Sequence, residues 1–417
     1  MFSNFTISRK NLAGYILFFG SLLIYVQFIQ RNQNQIETQP FFSALMLLFL
    51  LRNRFSQIEM IMISIIFYTL SVGLTTYLLY GGNIIDLINY LFGPLIFVAT
   101  PYVIKINRRL FFTIHFFLII ILILQRFDVY IFSNFLDELF SKFFSRTYSH
   151  GESTPISGIA PEPSYFAQQV IFLHLLAEIG FEKKILNISR RELNFFRILL
   201  LFYLFLTPSN SLFILILLCF LSMRKKYLIF FIFTIILLLS IRFGTIRFLY
   251  LIDNVLKLNL NDFGWDIFFH IDPSGSVRIY KNIIGYLISF ESPFGVGPGN
   301  YGISWDIAFH NFNIEKFKIH HEIVDAYNSG RKSTTYLSNY GSDIGFIGLL
   351  YFFGLISFFL IRLRHSIAQK STRNVLIFLF FFTCNITNPI PWFLLAIYKK
   401  ELNLNLQFYP PRKQVIN

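Results

Sequence analysis

Apolar residues in this chain gather in runs long enough to cross a hydrocarbon core of ~30 Å, and such runs recur from end to end. They fall at about 11–29, 41–51, 59–80, 84–104, 110–124, 164–181, 195–207, 209–222, 227–241, 336–361, 375–384 and 388–398. The runs at 41–51, 375–384 and 388–398 are short. Inside a bilayer every backbone polar group must be satisfied within the segment, which selects helices. The pattern therefore predicts an all-α fold: a polytopic transmembrane helix bundle of about 12 spans, one membrane domain over 1–417. Two connections are long, at 125–163 and 242–335.

Composition agrees with lipid as the main solvent. Of 417 residues, 55% are hydrophobic and 14% charged, and the mean hydropathy is +0.57. The 55 phenylalanines are read as lipid-facing and helix-packing bulk rather than a cofactor site. The two cysteines, Cys219 and Cys384, each lie inside an apolar run and offer neither a disulfide framework nor metal-ligand spacing. Arg9 and Lys10 precede the first run and no small-residue cleavage site follows, so that segment reads as a retained anchor.

A formal charge of +14 would point a soluble protein toward nucleic acid. Its distribution points elsewhere. When connections alternate between two sides, one side collects Arg9, Lys10, Arg52, Arg54, Lys105, Arg108, Arg109, Lys183, Lys184, Arg190, Arg191 and Arg197. The same side collects Arg224, Lys225, Lys226, Arg362, Arg364, Lys370, Arg373, Lys399, Lys400, Arg412 and Lys413. That is 23 of the 36 bases, against four acids, Glu59, Glu182, Glu192 and Glu401. The positive-inside rule makes this side cytoplasmic, with both termini inside and both long segments outside.

Function is expected on those long outer segments, because scaffolds position functional residues on loops. In 125–163, Phe132, Phe135, Leu136, Leu139, Phe140, Phe143 and Phe144 recur at helical spacing, opposite Asp137, Glu138, Ser141 and Lys142. A helix lying in the interface plane and a helix packed on the bundle top both fit. The chain then turns polar around Arg146 and His150, and ends in Pro161-Glu162-Pro163-Ser164 at the mouth of a span. A carboxylate between two prolines is held stiffly there. The segment 242–335 carries nine bases and nine acids. Within it Arg278 and Lys281 stand about one helical turn apart. Pro293-Phe294-Gly295-Val296-Gly297-Pro298-Gly299-Asn300 follows. Its glycines impose a tight turn, open to two roles: close approach of a ligand, or an ordinary loop turn.

Other constellations carry less. His321-Glu322-Ile323-Val324-Asp325 has Asp where a zincin helix needs its second His, so no metal site is expected. His174 and Glu178 share a face of one span, as a functional pair or an interhelical hydrogen bond. Asp86 and Asp343 lie toward the outer ends of their spans, where water is expected to reach them. No P-loop occurs.

The order of these features resembles the Wzy-type oligosaccharide repeat-unit polymerases, within the O-antigen polymerase and ligase group. Glu162-Pro163-Ser164 opening a span is similar to theirs, as is Arg278 followed by the Gly295–Asn300 turn. Thr334 to Gly354, with Tyr336, Leu337, Gly345 and Gly348, is similar to the family's span after the large outer loop. Thr207-Pro208-Ser209 resembles its Thr-x-Ser motif, and Arg146 and Gly158 match its Arg-bearing loop loosely. Where the ligase branch places a His-Asn pair, this chain has Arg331-Lys332-Ser333-Thr334-Thr335, which speaks against ligase.

The resemblance implies a bacterial inner-membrane enzyme that lengthens undecaprenyl-diphosphate-linked oligosaccharides at the outer face, with no cofactor and no nucleic acid. Besides the lipid bilayer, it implies a chain-length regulator and a flippase as partners. Arg278 and Arg146 would stabilise the leaving diphosphate, helped by Lys281 and Arg331. Glu162 would be a general base for the acceptor hydroxyl, or a salt bridge pinning the outer segments. Gly295, Gly297, Gly299 and Asn300 would line the substrate. A lipid-linked oligosaccharide flippase or other transporter remains the rival class, and would be expected to show internal repeats and a midplane site.

Overall fold

The computed structural model describes residues 9–23, 55–101, 104–126, 163–207, 209–221, 285–300, 337–382 and 388–402. Every regular element with assigned bounds among them is helical. In chain order these are α1 (Arg9–Leu22), α2 (Gln57–Tyr80), α3 (Ile84–Ala99), α4 (Arg108–Arg126), α5 (Pro163–Lys183) and α6 (Arg190–Leu206). There follow α7 (Asn210–Leu221), α8 (Leu337–Ile344), α9 (Phe346–Arg362), α10 (Ile367–Ile377), α11 (Pro389–Ile397) and the single turn α12 (Lys399–Leu402). A π-helical stretch, Phe378–Phe382, continues α10. The expected spans at 41–51 and 227–241, and the amphipathic stretch from Phe132 to Phe144, lie outside the described residues.

Two of these helices are long and apolar enough to cross a membrane: Gln57–Tyr80 with 24 residues and Arg108–Gln125 with 18. At 1.5 Å per residue they reach about 36 Å and about 27 Å. Ile84–Ala99, Ser211–Leu221 and Phe346–Arg362 are shorter apolar helices. Only 33% and 22% of the apolar windows in the two long helices are buried. Their outward sides carry Phe67, Leu74, Leu78, Phe116 and Phe117. Water penalises so continuous an apolar exterior and hydrocarbon does not.

Local chemistry sets the helix ends. Ser56 and Glu59 form a reciprocal capping box that starts α2, and Ser189 with Glu192 does the same for α6. Asn83 caps α3 and Asn388 caps α11, each accepting from the backbone N–H two residues on. The run at 336–361 does not form one rod. It breaks between α8 and α9 at Gly345, whose φ of +92° belongs to the glycine region. The described part of the run at 375–384, which ends at Phe382, is the apolar end of a helix that already starts at Ile367.

The contacts define two poles. At one, Lys399 is 0% exposed and Glu59 1% exposed. The Lys399 Nζ donates to Glu59 Oε1 at 2.8 Å, to the Val98 carbonyl at 3.0 Å and to the Thr100 carbonyl at 2.6 Å. Three donors meet three acceptors, so the buried ammonium is satisfied. The same pole holds the ion pairs Lys183–Glu401 and Arg108–Glu192. There too Arg362 Nη1 donates to the Leu402 carbonyl at 3.2 Å. These residues belong to the set that charge sorting put on one side. At the opposite pole α2 turns into α3 through Gly81-Gly82-Asn83, and residues 293–300 pack on that turn.

Candidate functional site

The turn 293–300 follows a short helix over 285–291 and lies across three elements at the second pole. Val296 N–H donates to the Ser342 carbonyl at 2.8 Å, and Gly297 N–H to the Asp343 carbonyl at 3.1 Å. Asn83 N–H donates to the Pro298 carbonyl at 2.8 Å. The Asn300 amide donates to the carbonyls of Gly81 and Val296, both at 3.0 Å. The loop thereby ties the α2–α3 turn to the α8–α9 break.

The glycines are required by close backbone approach. Gly295, Gly297 and Gly299 have φ of +81°, +95° and +76°, which L side chains rarely adopt. A Cβ on Gly299 would stand 2.5 Å from the Asn83 Cβ and 2.9 Å from Asp86 Oδ2. A Cβ on Gly295 would collide with the Asp343 carbonyl, and one on Gly345 with the Pro293 carbonyl. Between the two roles left open for this turn, the space each glycine frees is filled by the protein's own atoms.

Beneath the turn sits a buried carboxylate. Asp343 is 2% exposed, against the expectation that water reaches it, because the loop covers it. Its Oδ2 accepts from the Tyr90 hydroxyl at 2.6 Å and from Gly299 N–H at 3.3 Å. Tyr90 packs edge-on against Tyr340 at 5.3 Å between ring centroids, and the Tyr340 hydroxyl lies 2.9 Å from Thr69 Oγ1. Two polar contacts, Thr69 with Tyr340 and Tyr90 with Asp343, thus lie on either side of a ring contact that joins α8 to α3. Asp86, half-buried in the first turn of α3, flanks Gly299 from the other side.

Of the expected site residues, Gly295, Gly297, Gly299 and Asn300 come together here. Glu162, Arg146, Arg278, Lys281 and Arg331 lie outside the described residues. Sequence reasoning missed the pairing of Asp343 with Tyr90 and with the loop amides. The signal was an acid inside an apolar run, which in hydrocarbon demands a partner. Of the pair His174 and Glu178, the carboxylate makes an interhelical contact, whereas neither ring nitrogen of His174 has a hydrogen-bond partner among the described residues. Arg197 of α6 grips Glu178 through Nε at 2.7 Å and Nη2 at 3.0 Å, a two-pronged fit suited to guanidinium and carboxylate.

No protein-family model, curated protein or solved structure matches this chain.

Proposed function

We propose that this chain is a polytopic membrane enzyme of about 12 spans. It joins undecaprenyl-diphosphate-linked oligosaccharide repeat units into a surface polysaccharide, O-antigen or capsule, at the outer face of a bacterial inner membrane. Both termini then lie in the cytoplasm, and the segments 125–163 and 242–335 lie outside. The observation that carries this reading is where the glycine turn docks. It packs at the pole opposite the buried Lys399–Glu59 pair and the other base-rich contacts. Positive-inside orientation makes that base-rich pole cytoplasmic and the turn's pole the outer one, the side on which the expected topology also puts Arg278 and Glu162.

In the proposed step a hydroxyl oxygen of the acceptor repeat forms a bond to the anomeric carbon of the donor chain. The bond from that carbon to the diphosphate oxygen breaks, and its electron pair leaves with undecaprenyl diphosphate. Glu162 takes the hydroxyl proton as general base. Arg278 and Arg146 neutralise charge developing on the diphosphate through planar, permanently charged forks, with Lys281 and Arg331 in support. Gly295, Gly297, Gly299 and Asn300 fix the loop that follows Arg278 in sequence on the α2–α3 turn and the end of α8. Losing one such electrostatic contact costs about 10²–10³ in rate.

Arg278→Ala and Glu162→Gln in cells, followed by a gel of surface polysaccharide, test this reading. Loss of the ladder with single units retained is the expected result. Polymer of normal length and amount from both variants removes the assignment.

A further inference from the structure

Two loops of the base-rich pole are fastened together beside the contact of α4 with α6. One precedes α4 and the other joins α5 to α6. Ile106 N–H of the first donates to the Ile185 carbonyl of the second at 3.2 Å. Arg108, at the start of α4, is ion-paired with Glu192 in the first turn of α6. Within a few residues of these two ties stand Lys105, Arg109, Lys184, Arg190 and Arg191, all exposed. None of the five makes an ion pair among the described residues. Nearby acids do not answer them: Arg108 and the Ser189 N–H occupy Glu192, and Lys183 occupies Glu401. Glu182, at the end of α5, is a single carboxylate against the five.

The fold alone does not ask for cations there. A helix N-terminus favours acids, because the macrodipole is positive at that end. Yet α4 opens on Arg108-Arg109 with no acid in its first turn, and α6 opens on Arg190-Arg191 ahead of its capping Glu192. Lys184 has a φ of +55°, a conformation that suits glycine after a helix. Positive-inside orientation explains why bases lie on this side of the membrane. It needs only their number, not their gathering on two tied loops.

An apolar stripe continues from the cluster. Phe195, Ile198, Phe202 and Phe205 recur at helical spacing on α6 and are exposed. From Phe195 to Phe205 the stripe rises about 15 Å at 1.5 Å per residue, one leaflet of a hydrocarbon core of ~30 Å. Phe112 of α4 stacks on Phe195 with ring centroids 6.4 Å apart, and the Arg108 guanidinium lies 5.9 Å from the Phe112 ring centroid. Cations thus meet apolar surface in the order in which a phospholipid passes from headgroup to acyl chain.

We propose that Lys105, Arg109, Lys184, Arg190 and Arg191 bind the phosphate headgroup of an anionic phospholipid, whose acyl chain lies along the α6 stripe. Guanidinium forks and ammonium groups both suit phosphate oxygens, and basic clusters at the cytoplasmic ends of membrane helices attract anionic lipids. The inference rests on the chain spanning a membrane and not on the polymerase chemistry, which belongs to the opposite pole.

The test uses the full chain in micelles that hold phosphatidylglycerol and phosphatidylcholine of the same acyl chains in equal amounts. Native mass spectrometry counts the lipids it retains. The wild type is expected to retain phosphatidylglycerol in at least about tenfold excess, and the double variant Arg190→Gln, Arg191→Gln to lower that excess at least about fivefold. Arg364→Gln, which removes an exposed base after α9 at the same pole, is expected to leave it unchanged. Equal retention of the two lipids by the wild type overturns the proposal, even where a variant fails to fold. A loss in Arg364→Gln as large as in the double variant also overturns it, since the charge then acts diffusely. So does displacement of the lipid by inorganic phosphate at an ionic strength where chloride leaves it bound.

Discussion

Gly299 and Gly354 differ in what surrounds the place a side chain would take. At Gly299 that place already holds Asn83 and Asp86, and φ is +76°. At Gly354, inside α9, no atom lies within 4 Å. Gly299→Ala should therefore lower stability by about 1–3 kcal/mol through backbone strain, before any displacement of the loop. Gly354→Ala should be neutral or stabilise by about 0.5–1 kcal/mol, the ordinary gain of alanine in a helix. Thermal unfolding of the detergent-solubilised chain compares the two, and an equal response at both sites would remove the packing account of the turn. Glu59→Gln strips the buried Lys399 ammonium of its counter-charge and should cost about 3–5 kcal/mol. Joint replacement of Glu59 and Lys399 by Met should cost less than that single change. In the same unfolding assay, a double variant weaker than Glu59→Gln would contradict the reading of Lys399 as a satisfied but dispensable charge. The sequence offered the glycines, through their density, and offered Asp343 as an anomaly. It could not pair Glu59 with Lys399, 340 residues apart, because only the folded chain brings such positions together.

Helix ends were legible where a cap or a glycine marks them, and less so where polar residues are buried. Hydropathy starts the penultimate run at 375, yet α10 begins at Ile367. Its first turns carry Gln369, Ser371 and Thr372, all buried. Ser371 donates to the Cys219 carbonyl of α7, and Asn374 to the Leu218 carbonyl at 3.4 Å. Ser371 and Asn374 thus satisfy themselves on a neighbouring helix, and Gln369 and Thr372 bond within their own segment, so polarity there does not mean solvent. The α3–α11 contact hides in the same way: a Cβ on Gly93 would overlap the Trp392 indole, and no local pattern announces that approach. At the start of α6 the Ser189 N–H and hydroxyl, with Arg108, hold the Glu192 carboxyl below its ordinary value of 4.5. A carboxylate whose folded value is depressed adds stability above its unfolded value and loses it as pH falls through the folded one. Wild-type stability should accordingly decline more steeply than that of Glu192→Gln as pH drops below 4.5, measured by unfolding at a series of pH values. Parallel curves would show that the cap contributes nothing.

At the scale of the molecule, apolar runs and sorted charge foretold an all-helical chain with unlike ends. The described residues carry that far: two helices able to cross a membrane, one pole of buried and paired bases, and a glycine turn bound to the other. Sequence alone could not see how the turn is held, since its anchors come from the α2–α3 turn and from the end of α8, far away in the chain. The chemistry proposed for the outer side rests on family likeness together with that docking. Its most direct test is the purified full-length chain, reconstituted in lipid vesicles and supplied with undecaprenyl-diphosphate-linked single repeat units and no other acceptor. The expected result is products of two and more repeats with release of undecaprenyl diphosphate. Single units left unlengthened, whether stationary or carried across the bilayer, would contradict it.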